Sequence, residues 1–259
     1  MNFISLRGLP RAMSILLTIA LYIPAAALIN ILLPYHKRLV LLSRLNHYTA
    51  RILCVLLRLK KTYEQDTEAA SVLRGKKGAL IAANHISYLD IILIGSLFPC
   101  VFITSFDITQ YGLPSLLARV SGSLMVNRSN PSKISNDIER IQHCMKSGVC
   151  TVLFPEATTG NGNSVLPFHS PLFQTVISSD IPVLPLTIFY INCSDRIAWY
   201  GDMPFAGHFL KLLFCPEPIP VRMYADKLLI PDTRTTRKDL CRTAERIIRS
   251  HFTKLGVPA

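Results

Sequence analysis

Ala79-Leu80-Ile81-Ala82-Ala83-Asn84-His85-Ile86-Ser87-Tyr88-Leu89-Asp90 passes from a wholly apolar run through a polar turn to the start of a second apolar run. Five apolar residues closed by Asn and His read as a buried strand. Ser87 with Asp90 three residues on is the signature of a helix N-terminus, so a helix is expected from Tyr88, over Leu89–Leu97. Working outward, the alternation continues. Cys100–Thr104, Ser123–Asn127, Val149–Phe154 and Val183–Tyr190 read as further buried strands, and Lys133–Ser147, Pro171–Ser179 and about Lys238–Leu255 as helices. Ile134, Ile138, Ile141 and Met145 give the first of these its 3.6-residue stripe. Short apolar runs alternating with helices predict an α/β fold, a mixed central sheet flanked by helices.

The 259 residues suffice for a core without disulfide or metal staples. The seven cysteines include no C-x-x-C and sit mostly in apolar runs, as reduced core thiols do, which favours a reducing compartment. Half the residues are hydrophobic and only 17% are charged, against about 25% in an ordinary soluble domain, which excludes disorder and points to membrane contact. The net charge of +12 is uneven: residues 1–77 hold 12 Lys and Arg against three acids.

That N-terminal third is also the most apolar. Between Arg11 and His36 no residue is charged, and about 24 helical residues span roughly 36 Å, enough for a bilayer core. A signal peptide fits poorly, because the apolar core is too long and Lys37 and Arg38 follow it. Basic residues flank both ends, and Pro24 interrupts a helix in the middle. A kinked hairpin dipping into one leaflet fits both facts, with a single span as the alternative. From Leu39 to Leu59, Arg44, Arg51 and Arg58 recur every seven residues among leucines, an amphipathic helix suited to an anionic lipid surface. The expected organisation is a two-helix membrane motif over 1–60, a polar linker over 61–77 and an α/β domain over 78–259.

His85 and Asp90, five residues apart, would lie about 140° apart on one helix and not face each other. They meet if His85 sits in the turn and Asp90 in the first helical turn. There the carboxylate fixes the imidazole tautomer while the ring takes a proton from a hydroxyl. The competing reading is a capping box with a turn histidine beside it. Phe154-Pro155-Glu156-Ala157-Thr158-Thr159-Gly160-Asn161-Gly162-Asn163 follows another buried strand. It lacks the G-K-[ST] of a phosphate-binding P-loop and carries one acid, Glu156, at the strand end.

Together these segments resemble the glycerolipid acyltransferases typified by 1-acylglycerol-3-phosphate acyltransferases. The family's N-H-x-x-x-x-D is matched by Asn84, His85 and Asp90, and its strand-end arginine by Arg128 after Gly122–Asn127. Its F-P-E-G-T-R-S is matched by Phe154–Gly160, and its V-x-P-x by Val183–Leu186, all in order over 79–190. Trp199-Tyr200-Gly201-Asp202-Met203 resembles the branch that includes lyso-ornithine lipid acyltransferases. The resemblance implies that His85 and Asp90 are catalytic, and that Asn84, Arg128, Glu156, Ala157, Thr158 and Thr159 bind substrate. It implies helix N-terminal N–H groups near Tyr88 at the oxyanion. The co-substrate is acyl-CoA or an acyl carrier protein, with no metal or further cofactor. Membrane lipids and a lysolipid acceptor are the implied partners, and the domain is expected on the cytoplasmic side.

Three positions depart from the family pattern. Ala157 replaces its glycine, Thr159 its arginine, and Ser105 a basic residue common before the second motif. The family's commonest reaction puts 1-acyl-sn-glycerol 3-phosphate first as acceptor. Two lost cations pull toward a less charged one, such as lyso-ornithine lipid. A serine hydrolase is a poor fit because no G-x-S-x-G elbow occurs. Nucleic-acid binding is disfavoured because the basic residues interleave with apolar runs and not with stacking aromatics. A non-catalytic membrane-binding protein on the same scaffold is the remaining alternative.

Overall fold

The computed structural model describes residues 8–67, 69, 78–127, 131–177, 179–192 and 194–254. In chain order these form α1 (Leu9–Leu32), α2 (Tyr35–Leu56), β1 (Leu59–Gln65), β2 (Leu80–Ala83), α3 (Leu89–Leu97), β3 (Cys100–Ser105), α4 (Gly112–Val120) and β4 (Leu124–Val126). There follow α5 (Pro131–Lys146), β5 (Cys150–Leu153), β6 (Val183–Tyr190), a short α6 (Ser194–Ile197), α7 (Phe205–Phe214), β7 (Ile219–Ala225) and α8 (Arg237–Lys254). The strands form one sheet in the order β1-β7-β6-β2-β5-β3-β4. From β6 to β4 every pairing is parallel; β7 runs antiparallel to β6, and β1 follows β7 in parallel. The sheet is therefore mixed, and β2 lies inside it with its side chains buried on both faces.

The two-residue period of β2 divides the core. Ile81 and Ala83 pack on the side of Leu89, Leu93 and Ile94 of α3 and Leu212 and Leu213 of α7. Leu80 and Ala82 pack on the other side, with Ile141 and Met145 of α5 and Leu240 and Ala244 of α8. Cys54, Cys100, Cys144, Cys150 and Cys241 are buried free thiols.

Several sequence expectations change. The linker expected over 61–77 begins instead as an edge strand: β1 pairs with β7 from Leu59↔Ile219 to Gln65↔Ala225. Its outward residues are polar and charged, the composition that keeps a sheet edge from pairing with other chains, so it has no apolar run to announce it. The expected helix over 171–179 is only a 3-10 turn, Pro171–Thr175. The Thr175 hydroxyl donates to the Leu172 carbonyl, and the Ser179 hydroxyl to that of Val176, competing with helical bonding. Pro24 lies within the single helix α1, so the apolar run is not a hairpin; the reversal comes at Leu33 and Pro34. Arg58 lies past the end of α2 at φ 57, so two of the three stripe arginines are helical.

By length and composition α1 is able to cross a membrane. One side of it is packed inward through Ala12, Ile15, Tyr22 and Ala26; on the other, Met13, Leu17, Leu21, Leu28, Ile31 and Leu32 are each more than half exposed. Polar contacts fix the inward side along its length. Arg11 donates to the Leu213 and Cys215 carbonyls, the Tyr22 hydroxyl to Asn46 Oδ1 of α2, and Asn30 to the Val120 carbonyl. Asn46 in turn donates to the Ser121 carbonyl, so α1 and α2 are joined to the domain and to each other.

Candidate active site

Because β6, β2 and β5 are parallel neighbours, their carboxyl ends open on one edge of the sheet, where ligands collect in open α/β sheets. The chain leaves β2 through Asn84 and His85, β5 through Phe154 and Glu156, and β6 through Tyr190. His85 lies in the turn and Asp90 is the second residue of α3, the arrangement that brings them together. His85 Nδ1 is 2.9 Å from Asp90 Oδ2, with side chains 17% and 0% exposed.

Asp90 accepts four hydrogen bonds. Its Oδ2 takes the His85 ring nitrogen and the backbone N–H groups of Ile86 at 2.7 Å and Ser87 at 2.9 Å; Oδ1 takes the Tyr190 hydroxyl at 2.7 Å. With Asp90 as the acceptor of this bond, His85 Nδ1 carries the hydrogen and Nε2 is the ring nitrogen left to accept a proton. Tyr190 ends an apolar strand and nothing in its neighbours marks it, so sequence reasoning did not single it out.

His85 is fixed at other points as well. Its ring stacks on Phe154 with centroids 3.8 Å apart and planes 10° from parallel. Its N–H donates to Glu156 Oε1 at 2.7 Å, and its carbonyl accepts from Gly160 at 2.8 Å. Glu156 Oε2 accepts from the Leu166 N–H at 2.9 Å. Burial pushes the Glu156 carboxyl up to about 8, against the lowering effect of those two N–H groups.

The remaining expected site residues divide. Glu156 is 3% exposed and each of its oxygens accepts a backbone N–H, so it clamps the 156–166 loop to the His85 turn. Asn84 is also buried; its amide donates to the Ile188 carbonyl and its oxygen accepts the Ile188 N–H, extending the β2–β6 seam. Ala157 and Thr158 are exposed and Thr159 is half-buried, on the loop that Gly160 ties to His85. Ala157 adopts φ 64, the left-handed region in which glycine is free of the Cβ penalty. Arg128 lies outside the described residues.

Of the N–H groups at the start of the helix, those of Ile86, Ser87, Leu89 and Asp90 are engaged within the turn. The first two go to Asp90, the Leu89 N–H points at Ser87 Oγ, and the Asp90 N–H donates to the Ser87 carbonyl. Ser105 is turned to Asp107, its hydroxyl donating to the carboxylate at 2.6 Å. Beside the turn lies an aromatic cluster in which Tyr88 meets Trp199, Phe205 and Phe209 edge to face. The Trp199 backbone N–H donates to the Ile86 carbonyl, and the Tyr88 hydroxyl is hydrogen-bonded to His208 Nδ1 at 3.0 Å.

The acyltransferase family model matches residues 60–189, half of the chain. Lyso-ornithine lipid O-acyltransferases of Rhizobium meliloti and Pseudomonas aeruginosa are 28% and 29% identical, over 63% and 66% of this chain and 59% and 66% of their own. A 1-acyl-sn-glycerol-3-phosphate acyltransferase of Neisseria gonorrhoeae is 31% identical over 44% of this chain and 45% of its own. The matches thus span about half to two thirds of these relatives. The crystal structure of the 1-acyl-sn-glycerophosphate acyltransferase of Thermotoga maritima superposes with a TM-score of 0.67 over 99% of both chains, at 15% identity.

Proposed function

The chain belongs to the acyltransferase family, and from that premise we propose that it moves a fatty acyl group from acyl-CoA or an acyl carrier protein to the free hydroxyl of a lysolipid. The observation that carries this reading is the His85–Asp90 pair, buried on the carboxylate side and held by four donors. His85 Nε2 accepts the hydroxyl proton as the oxygen attacks the thioester carbonyl. When the tetrahedral intermediate collapses, the C–S bond breaks and the imidazolium returns its proton to the leaving sulfur. Asp90 keeps the tautomer and stabilises the transient cation. Glu156 and Phe154 hold the ring where the acceptor arrives, and positioning of this kind contributes as much as the base itself.

Two acceptors are considered. A zwitterionic head group of the lyso-ornithine type suits a site with Thr159 in place of the family's arginine and with Ser105 turned to the acid Asp107. The lyso-ornithine relatives also match more of the chain than the glycerophosphate relative. The second acceptor is 1-acyl-sn-glycerol 3-phosphate, favoured as the family's commonest reaction; its phosphate carries close to two charges that a partly buried site must neutralise. In this reading the apolar face of α1 sits in the bilayer and the sheet edge lies on the cytoplasmic side, where thioester donors are.

The test is thiol release from acyl-CoA with a panel of lysolipids, products identified by mass spectrometry. Acylated lyso-ornithine lipid or phosphatidic acid is expected from the wild type, and a loss of about 10²–10⁴-fold from a folded His85→Ala protein. Transfer by His85→Ala at the wild-type rate rejects the mechanism.

A further inference from the structure

The C-terminal helix α8 lies beyond residues 60–189 and carries none of the motifs of the site, but hydrogen bonds lead from it to the turn that holds His85. From Phe154 to Ser170 the chain forms neither helix nor strand, so scattered hydrogen bonds and packing set its path. Gly160 donates to the His85 carbonyl, the Leu166 N–H to Glu156 Oε2 and the His169 N–H to the Pro155 carbonyl. The Phe168 N–H goes outside the loop, to Glu245 Oε2 of α8 at 3.2 Å. The other oxygen of Glu245 accepts from Arg249 Nε at 2.9 Å, one helical turn on. The Glu245 and Arg249 side chains are 23% and 26% exposed, so solvent and salt screen their pairing less than at an open surface. The links run in series: Glu245 holds Phe168, Leu166 two residues before it holds Glu156, and Glu156 Oε1 holds the His85 N–H at 2.7 Å. Arg249 also acts on this series through space. Burial raises the Glu156 carboxyl, and the Arg249 charge works against it, as the two N–H groups do.

We propose that Glu245 is a positioning residue for acyl transfer: with its rotamer fixed by Arg249, it sets the path of residues 166–169 and, through Glu156, the placement of His85. The proposal rests on the acyltransferase reading and extends its machinery to an element outside the motifs. A coil segment has no ladder to hold it, and a bond from its N–H to a carboxylate is among the stronger single restraints available. Without that bond the 166–169 segment drifts, the Leu166 N–H leaves Glu156, and the clamp on the His85 turn loosens. Displacements of a fraction of an ångström at a reacting group cost rate and not binding, because the substrate still docks while the approach to the thioester is spoiled. The signature of Glu245 is therefore a loss of turnover at unchanged affinity.

Glu245→Ala is expected to lower kcat on the order of tenfold, with KM for acyl-CoA and for the lysolipid changed by less than about twofold. Glu245→Gln keeps an oxygen for the Phe168 N–H and is expected to recover most of that rate. Glu156→Gln leaves one oxygen for two N–H groups and so opens the same clamp. In that background Glu245→Ala is expected to add almost nothing, whereas independent effects multiply. Amide hydrogen exchange follows the series without turnover: Glu245→Ala should speed exchange several-fold in peptides covering 84–90 and 160–168 and leave β3 unchanged. Should Glu245→Ala fail to fold, Arg249→Gln removes the lock and keeps the carboxylate, and the same pattern is expected at smaller amplitude. A folded Glu245→Ala protein with wild-type kcat overturns the proposal. So does a Glu245→Gln protein as slow as Glu245→Ala, a loss that multiplies in full with Glu156→Gln, or exchange that rises equally across the protein. Absence of thiol release from the wild type with every lysolipid instead rejects the acyltransferase reading, and the exchange pattern still decides whether α8 holds the His85 turn.

Discussion

At the scale of single residues, Tyr190 and Glu156 hold the candidate catalytic pair from two sides. Tyr190 donates to the oxygen of Asp90 opposite the one that His85 uses. Removing that donor leaves one oxygen of a buried carboxylate without its hydrogen bond. Tyr190→Phe is therefore expected to cost about 1.5–3 kcal/mol of stability, read by denaturant titration. For Glu156 the sign runs with burial. Its folded pKa is raised from the ordinary 4.5 to about 8, so its contribution to stability is full below about pH 4.5 and is lost as pH rises through 8. The difference in melting temperature between wild type and Glu156→Gln should change across that window and level off outside it. Ala157 is a milder case: its left-handed backbone predicts that Ala157→Gly stabilises by up to about 1 kcal/mol, measured by equilibrium unfolding.

At the scale of elements, α1 invites a test that separates its two sides. Leu17 and Leu21 lie on the exposed stripe and Ala12, Ile15 and Tyr22 on the buried one. Leu17→Glu with Leu21→Glu should greatly reduce co-sedimentation with lipid vesicles while changing unfolding free energy by less than about 0.5 kcal/mol, as surface substitutions do. The elements legible in the sequence were those with a complete hydrophobic signal. Leu89–Leu97 and Val183–Tyr190 were expected with the bounds the structure gives them, and so was the meeting of His85 with Asp90; the expected N-cap at Ser87 was not, since Tyr88 holds that position without a side-chain cap bond and Asp90 itself gathers the N–H groups of the turn. The apolar helix α7 was missed despite its signal, and three other missed elements lacked one. β1 is held by backbone pairing and reads as polar; β7 contains Pro220, which argues against a strand until an edge partner is known; Gly112 and Pro114 make the start of α4 look like a turn. Motif matching placed Asn84 and Glu156 at the site, and the structure adds the backbone bonds by which each holds it together, which spacing does not encode.

At the scale of the whole molecule, the site is assembled from three neighbouring parallel strands, and the two-helix motif packs on the face of the sheet that also carries α3 and α7. The pairing of β1 with β7 has a consequence for biogenesis. Leu59 leaves the ribosome about 160 residues before its partner Ile219, a delay of roughly 8–32 s at ~5–20 residues per second. Through that interval the first strand waits without its hydrogen-bonding neighbour. Translation thus deals out the first strand early and its partner late, so a message cut short upstream of residue 219 yields a chain whose sheet cannot be finished.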